Sequence, residues 1–356
     1  MYTLASVKQL LVQSVQVEIL CLKNSTLFNE ANQAGVKTHT IRSYSYFNLS
    51  GVLKLMSLLR RGKFDLVHTH ASRDLWLLVP ALKLSNSNIP LVFTKHIGSF
   101  IVKKDFLHKF IYNRVSVAFA ISETIRNNLI DTTSLESEKI LLVHDCIDIN
   151  KFDPVKSRRS KIRDEFCVAE NDILIGMMAR FSPGKGHEEF LSAAKTLDEQ
   201  YNNVKFIIVG KASYGEENYE KEIKLLASDL LDQKVIFTGF RKDTADILSA
   251  MDIFVFPSHA EAFGVTLIEA MAMERPTVVA NAEGALDIAV DRETGFLFEN
   301  KNAIDLSEKI SKLIISKEIR VKFGKAGRQR VLDNFNLEKQ TAKNVEIYSS
   351  LISRTK

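Results

Sequence analysis

Residues 173–210 read ILIGMMARFSPGKGHEEFLSAAKTLDEQYNNVKFIIVG. An unbroken apolar run opens the stretch, a Val- and Ile-rich run closes it, and the segment between them has helical period. A strand that is apolar at every position is buried on both faces, and a strand–helix–strand unit joins parallel neighbours. The stretch therefore predicts one βαβ unit of a doubly wound α/β sheet. Further buried runs follow at VIFTG (235–239), DIFVFP (252–257) and PTVVA (276–280), then a short strand near 295–298 and helices to the end.

Working outward, the first half repeats this grammar less cleanly, in QVEILCL (16–22), FDLVHTH (64–70), PLVFTKH (90–96), SVAFAIS (116–122) and KILLVHD (139–145). Two Rossmann-like domains are expected, at 1–155 and 164–336, joined by the charged, non-periodic stretch 150–163. The last segment, 337–356, carries a helix that could pack on either half. The chain opens within a helix-like stretch, TLASVKQLLVQ, rather than on a strand.

With 46% hydrophobic and 26% charged residues among 356, the chain is globular, and 15 Gly and 6 Pro leave no room for collagen-like or low-complexity architecture. No run reaches the ~18–20 apolar residues of a membrane-spanning helix, and no signal peptide is legible, so a cytoplasmic protein is expected. Cys21, Cys146 and Cys167 match no metal or disulfide pattern and read as reduced core thiols. Residues 1–160 hold 21 Lys and Arg against 12 Asp and Glu, whereas the remainder holds 27 against 31. A basic first half suggests an anionic partner such as a membrane surface, a phosphorylated lipid or nucleic acid. Nucleic acid is disfavoured, because no recognition helix or aromatic RNA-binding motif accompanies the charge.

In open parallel sheets ligands bind beyond the carboxyl ends of the strands, so the loops after the apolar runs are where chemistry is sought. ARFSPGKGHEE places Arg180 and Lys185 in one strand-to-helix loop, two cations that could hold a diphosphate, with Gly184 and Gly186 allowing close backbone approach. The spacing is not that of a Walker A loop. A solvated basic turn beside Glu188 and Glu189 is the competing reading. In PSHAEAFGVTLIEAMAMERP (257–276), Glu261 precedes a helix, and Glu269 is the lone charge between Ala262 and Met273. An ionised carboxylate on so apolar a helix needs partners, either ribose hydroxyls or a core Arg. The amides of Gly264, Val265 and Thr266, at the helix start, suit a phosphate. His96 ends a strand of the first half. His68 and His70 share a strand face, but no third ligand has metal-site spacing and no Asp-x-Asp motif is present, so no metal site is expected.

These pieces, ARFSPGKG, VKFIIVG, VIFTGF and SHAEAFGVTLIEAMA in this order and spacing over about residues 172–300, together resemble the family 4 retaining glycosyltransferases. The resemblance implies the GT-B architecture of two facing Rossmann-like domains, a UDP- or GDP-sugar donor, a glycan or lipid-linked acceptor in surface polysaccharide or lipopolysaccharide synthesis, and neither cofactor nor metal. It implies that Arg180 and Lys185 bind the diphosphate, Glu269 the ribose and Glu261 the donor sugar, that the turn at Gly239 and Phe240 presents backbone to the base, and that His96 touches the transferred sugar, with His70 a looser match. Two departures stand out: no opening strand and Gly-rich loop precede QVEILCL, and NAEGALD carries Ala285 and Asp287 where the family often has Gly and Glu. A non-catalytic nucleotide-sugar-binding subunit is the alternative class.

Two segments mix apolar and basic residues, SGVLKLMSLLRRGKF (50–64) and GSFIVKKDFLHKFIYNRV (98–115). Leu53, Met56 and Leu59 form the apolar spacing of the first; Phe100, Phe106 and Phe110 stand among Lys103, Lys104, Lys109 and Arg114 in the second. Each is either an ordinary surface helix or a membrane-resting one, and peripheral association with an anionic inner membrane face is expected.

Overall fold

The structure, a computed structural model, describes residues 2–42 and 48–354. It divides into two compact units, Met1–Asp145 with Leu337–Lys356, and Cys146–Asn336.

In the first unit the strands are β1 (Ile19–Leu22), β2 (Thr38–Ile41), β3 (Val67–Thr69), β4 (Leu91–Lys95), β5 (Val117–Ala120) and β6 (Ile140–Leu142). They form a parallel pair β1-β2 and a parallel four-stranded sheet β3-β4-β5-β6. β4 is buried at all five positions, in keeping with a central strand covered on both faces. The helix Tyr2–Val12 occupies the opening stretch. β2, THTI, has no apolar run and only one fully buried residue, so periodicity does not reveal it. The C-terminal helix Leu337–Ser353 belongs here because Leu351 enters a core with Val92, Phe119 and Val143, while the Tyr348 hydroxyl lies 2.8 Å from His68 Nδ1.

The second unit carries β7 (Ile173–Met178), β8 (Val204–Val209), β9 (Val235–Phe237), β10 (Ile253–Phe256), β11 (Thr277–Ala280) and β12 (Gly295–Phe298). All six are parallel, in the order β12-β11-β10-β7-β8-β9. β7 and β10 are buried throughout, and Phe190, Leu191, Ala194 and Leu197 of the crossover helix His187–Gln200 pack on the sheet with Phe206 and Ile208.

Three expectations need correction. The boundary falls at Asp145/Cys146 rather than within 150–163, because arginines tie that stretch to the second unit. Arg158 donates to Asp246 at 2.7 and 3.0 Å, Arg159 meets Asp252 at 2.6 Å, and Arg163, 6% exposed, meets Asp252 at 2.9 Å. Charge without apolar period looked like a linker, but its arginines are spent on carboxylates and on helix-end carbonyls. The helix Leu49–Arg61 buries Val52, Leu55 and Leu59, whereas Leu53 faces solvent. Its stripe follows a pitch of 3.6 residues rather than a spacing of three, which makes this segment an ordinary surface helix. Cys167 is exposed, whereas Cys21 and Cys146 are buried thiols.

Candidate active site

From β7 the second sheet grows through β8 to β9 on one side, and from β10 through β11 to β12 on the other. At this reversal the loops leaving neighbouring carboxyl ends turn apart and open a crevice, the place where doubly wound sheets bind ligands. Here the walls are the loops 179–186, after β7, and 257–264, after β10.

The loops are stitched together. The His259 amide donates to the Gly184 carbonyl at 2.9 Å, and the His259 ring meets Glu189 at 2.9 Å. Gly184 and Gly186 are left-handed, with φ of +82° and +77°; a Cβ on Gly186 would lie 2.1 Å from the Pro257 carbonyl oxygen. The turn can approach the neighbouring strand end only without a side chain. Gly186→Ala is expected to destabilise the protein by about 1–3 kcal/mol through overpacking. Gly184→Ala, whose Cβ finds only His259 at 4.0 Å, should cost little beyond the left-handed strain of about 1–2 kcal/mol. Urea unfolding of the two variants tests this order.

Lys185 Nζ crosses the crevice to Glu261 Oε1 at 2.5 Å, with both side chains about four-fifths covered. Arg180, exposed, donates to Ser213 Oγ at 2.9 Å, and the Ser182 hydroxyl donates to Glu216 at 2.5 Å. That bond, with help from Arg180, holds the Glu216 carboxyl below its ordinary range. Arg180 and Lys185 thus leave one loop for different partners, the first a neutral hydroxyl in the loop after β8 and the second a carboxylate in the loop after β10.

The helix Val265–Ala272 starts at Gly264, whose φ of +124° lies outside the comfortable range of an L side chain, and no side chain caps it. Leu267 and Ile268 donate to the Gly264 carbonyl, while the amides of Gly264, Val265 and Thr266 find no acceptor among the described residues. Three open N–H groups at the positive end of a helix dipole form an anion seat. One turn further, the Glu269 carboxylate makes no hydrogen bond or ion pair with any described residue. Desolvation by the apolar helix pushes its pKa up to about 7 against the pull of Lys151. No core arginine takes it, which leaves a carboxylate available to hydroxyl donors.

At the end of β9, Gly239 has φ +65° and its carbonyl accepts from the Gly210 amide at 3.1 Å. Phe240 beside it is 56% exposed, with Lys211 Nζ 5.7 Å from the ring centroid, and offers a flat face to a planar ligand. Sequence reasoning missed Lys151, Ser182, Ser213, Glu216 and His187. His187 is fully buried against Phe181, with ring centroids 4.6 Å apart, and burial lowers its pKa to about 4. Its position directly after GKG was the available signal.

His70 and His96 lie in the first unit. His70 Nδ1 is 3.1 Å from His96 Nε2, and His96 Nδ1 is 3.5 Å from Asp145. The shared face of His68 and His70 is a ring stack with centroids 4.5 Å apart; His68 is also held by Tyr348 and Thr94. Burial lowers His70 to about 4 and His68 well below the histidine range, so both are neutral at pH 7. Among the described residues no group of three His, Cys, Asp or Glu side chains could hold a metal ion.

A glycosyltransferase from Rickettsia africae ESF-5 superposes with a TM-score of 0.90 at 25% identity, covering 99% of this chain and 94% of that chain. The fold is that of the GT-B glycosyltransferases, two Rossmann-like α/β domains. The glycosyl transferases group 1 model matches residues 158–330 and the glycosyltransferase family 4 model matches residues 1–151; the chain belongs to this family. Among curated relatives, the capsular polysaccharide biosynthesis glycosyltransferase CapM of Staphylococcus aureus is 30% identical over 61% of this chain, which spans 57% of CapM's length. The UDP-Gal:alpha-D-GlcNAc-diphosphoundecaprenol alpha-1,3-galactosyltransferase of Escherichia coli is 25% identical over 86% of this chain and 80% of its own.

Proposed function

We propose that the protein transfers a sugar from a UDP- or GDP-sugar to a lipid-linked acceptor in surface polysaccharide synthesis, with retention of anomeric configuration. The observation that supports the reading is that Lys185 reaches from the loop it shares with Arg180 to Glu261 in the loop after β10, and that the helix following Glu261 carries three open amides at residues 264–266 and the unpartnered Glu269. A pyrophosphate fits the cations and the helix mouth, and a ribose fits the carboxylate. The E. coli relative's name, with its UDP-sugar donor and diphosphoundecaprenol acceptor, supports the choice of substrates.

The Lys185–Glu261 pair has a part in the reaction. When a diphosphate enters, Lys185 exchanges the Glu261 carboxylate for phosphate oxygens, and Glu261 is released to accept hydroxyls of the donor sugar. As the anomeric carbon–oxygen bond breaks, charge grows on the departing diphosphate, where Lys185, Arg180 and the helix mouth are already fixed. The acceptor hydroxyl bonds to the anomeric carbon on the same face and passes its proton to the leaving phosphate oxygen. No side-chain nucleophile is required. Two cations and a helix dipole supply the positive charge a divalent ion would bring, so turnover is expected to survive excess EDTA unchanged; an EDTA-inactivated enzyme restored by Mg2+ contradicts this part.

Among the described residues no helix is long and apolar enough to cross a membrane. The basic first half supports peripheral association with an anionic membrane face. The deciding experiment is thermal unfolding with UDP- and GDP-sugars, followed by a transfer assay with the stabilising donor. At ~100 times its dissociation constant a ligand adds about 2.7 kcal/mol. Binding without transfer or donor hydrolysis points instead to a non-catalytic subunit.

A further inference from the structure

Lys185 meets Glu261 only if the main chain around Glu261 is fixed, and that main chain is gripped on both sides. Upstream the grip is His259. Its amide donates to the Gly184 carbonyl at 2.9 Å, its ring Nε2 lies 2.9 Å from Glu189 Oε1, and its carbonyl accepts from Asn300 Nδ2 at 2.9 Å. These partners belong to the loop after β7, the helix His187–Gln200 and the turn after β12, so one residue ties three elements to the loop after β10. Its bonds fall one residue from Lys185 and two from Glu261. Downstream, the Gly284 amide donates to the Glu261 carbonyl at 3.1 Å, and a Cβ on Gly284 would stand 2.4 Å from the Ala262 carbonyl oxygen.

The surroundings of His259 make it costly to displace. Glu189 is the third residue of its helix, where the dipole favours a negative charge, and its side chain is only 14% exposed. Its Oε2 is buried with no hydrogen-bond partner, which leaves the His259 ring N–H as the donor that satisfies this carboxylate among the described residues. A carboxylate can only accept, so Nε2 carries the proton. Asn300 Oδ1 is likewise buried and unpartnered, and its amide is held through the nitrogen alone. If His259 moved, Glu189 and Asn300 would each lose a covered hydrogen bond and gain none in exchange.

We propose that His259, seated on Glu189 and Asn300, is the positioning residue that holds Glu261 within reach of Lys185 and thereby sets how strongly the donor's sugar, as distinct from its diphosphate, is bound. With the main chain held at 259 and at 284, Glu261 leaves Lys185 by side-chain rotation alone, so the sugar meets an acceptor whose backbone is already in place. The inference rests on the reading above that Glu261 accepts hydroxyls of the donor sugar. It adds the residues that preorganise that acceptor.

The test has two arms. In the first, amide hydrogen exchange of the ligand-free full chain is followed through residues 257–264. His259→Ala is expected to speed exchange in this segment while β7 and β10 stay protected; His259→Gln, whose amide N–H still donates to Glu189, should remain near wild type. In the second, dissociation constants of UDP and GDP are compared with those of UDP-glucose, UDP-galactose, UDP-N-acetylglucosamine and GDP-mannose. His259→Ala should weaken the nucleotide sugar that binds by about tenfold, as expected when a charge-assisted contact loses its geometry, and leave the matching nucleoside diphosphate within about threefold of wild type. Glu189→Ala should do the same, and the double variant should be no worse than the worse single, because both changes remove one bond. A merely structural histidine would weaken nucleotide and nucleotide sugar by a common factor, and that result overturns the proposal. Unchanged exchange in His259→Ala, or a His259→Gln protein as impaired as His259→Ala, overturns it equally. Should His259→Ala fail to fold, Asn300→Ala, which frees the His259 carbonyl and leaves the ring pair intact, is expected to shift both readouts the same way in smaller measure. A wild-type protein that binds none of the nucleotide sugars sinks the transferase reading, and the exchange arm still decides whether His259 holds the loop; binding without the sugar-selective loss sinks this inference alone.

Discussion

Lys185→Ala is expected to lower kcat/KM by about 10²–10³, the effect of removing a preorganised charge from the oxygen that gains charge in the transition state, worth ~2.7–4 kcal/mol. It also removes the partner of Glu261, leaving a partly covered carboxylate where the donor's own negative charge must sit. Nucleotide-sugar stabilisation should vanish with the rate. Lys185→Arg should recover part of the binding, since a guanidinium can reach phosphate, but less of the rate, because its planar fork places charge differently. A Lys185→Ala enzyme with wild-type kcat would remove Lys185 from leaving-group stabilisation. Arg180→Ala should have a milder effect, since Arg180 is exposed and screened.

Glu269→Gln should act on stability and binding in opposite directions. The pKa of Glu269 is raised from the usual carboxylate value to about 7 in the folded chain. The native state therefore favours the protonated form. Its contribution to stability is fully present below about pH 4.5 and is lost as pH rises through 7, leaving a penalty on the order of 1–3 kcal/mol at pH 8. Gln cannot ionise, so the variant should be more stable than wild type at pH 8 and nearly equal to it at pH 5. Ribose hydroxyls donate more strongly to an ionised carboxylate than to the neutral amide oxygen of Gln, and the exchange should weaken nucleotide-sugar binding by about 1–2 kcal/mol. Wild-type affinity should accordingly rise between pH 6 and pH 8, and the variant's should stay flat. Thermal unfolding at pH 5 and pH 8, with and without donor, reads both effects. A variant less stable than wild type at pH 8 would show that Glu269 is a structural member of the helix rather than a strained ligand-binding group.

Much of the fold was legible in the sequence because buried parallel strands leave an unmistakable trace. ILIGMMA, VKFIIVG and DIFVFP are apolar at nearly every position, and no other soluble element asks for that over so few residues. The pattern failed where burial is partial. THTI became β2 although only Ile41 is fully covered, and the apparent stripe of Leu53, Met56 and Leu59 misstated which face of its helix is inside. The stretch 150–163 misled for another reason. Local composition cannot say that Arg158, Arg159 and Arg163 will find Asp246 and Asp252, about ninety residues on, so a tightly held segment read as a tether.

The same division runs through the candidate site. The sequence by itself determined the chemical types and their place at strand ends: two cations after one strand, two acids and a glycine-led helix after another. Side-chain period and turn chemistry are local properties, and local order records them. Only the tertiary structure decided that Lys185 meets Glu261 and that no arginine claims Glu269. Those are matters of which charges end up near one another and how much water is removed around them. Both depend on contacts between residues far apart along the chain, so no window of sequence contains them.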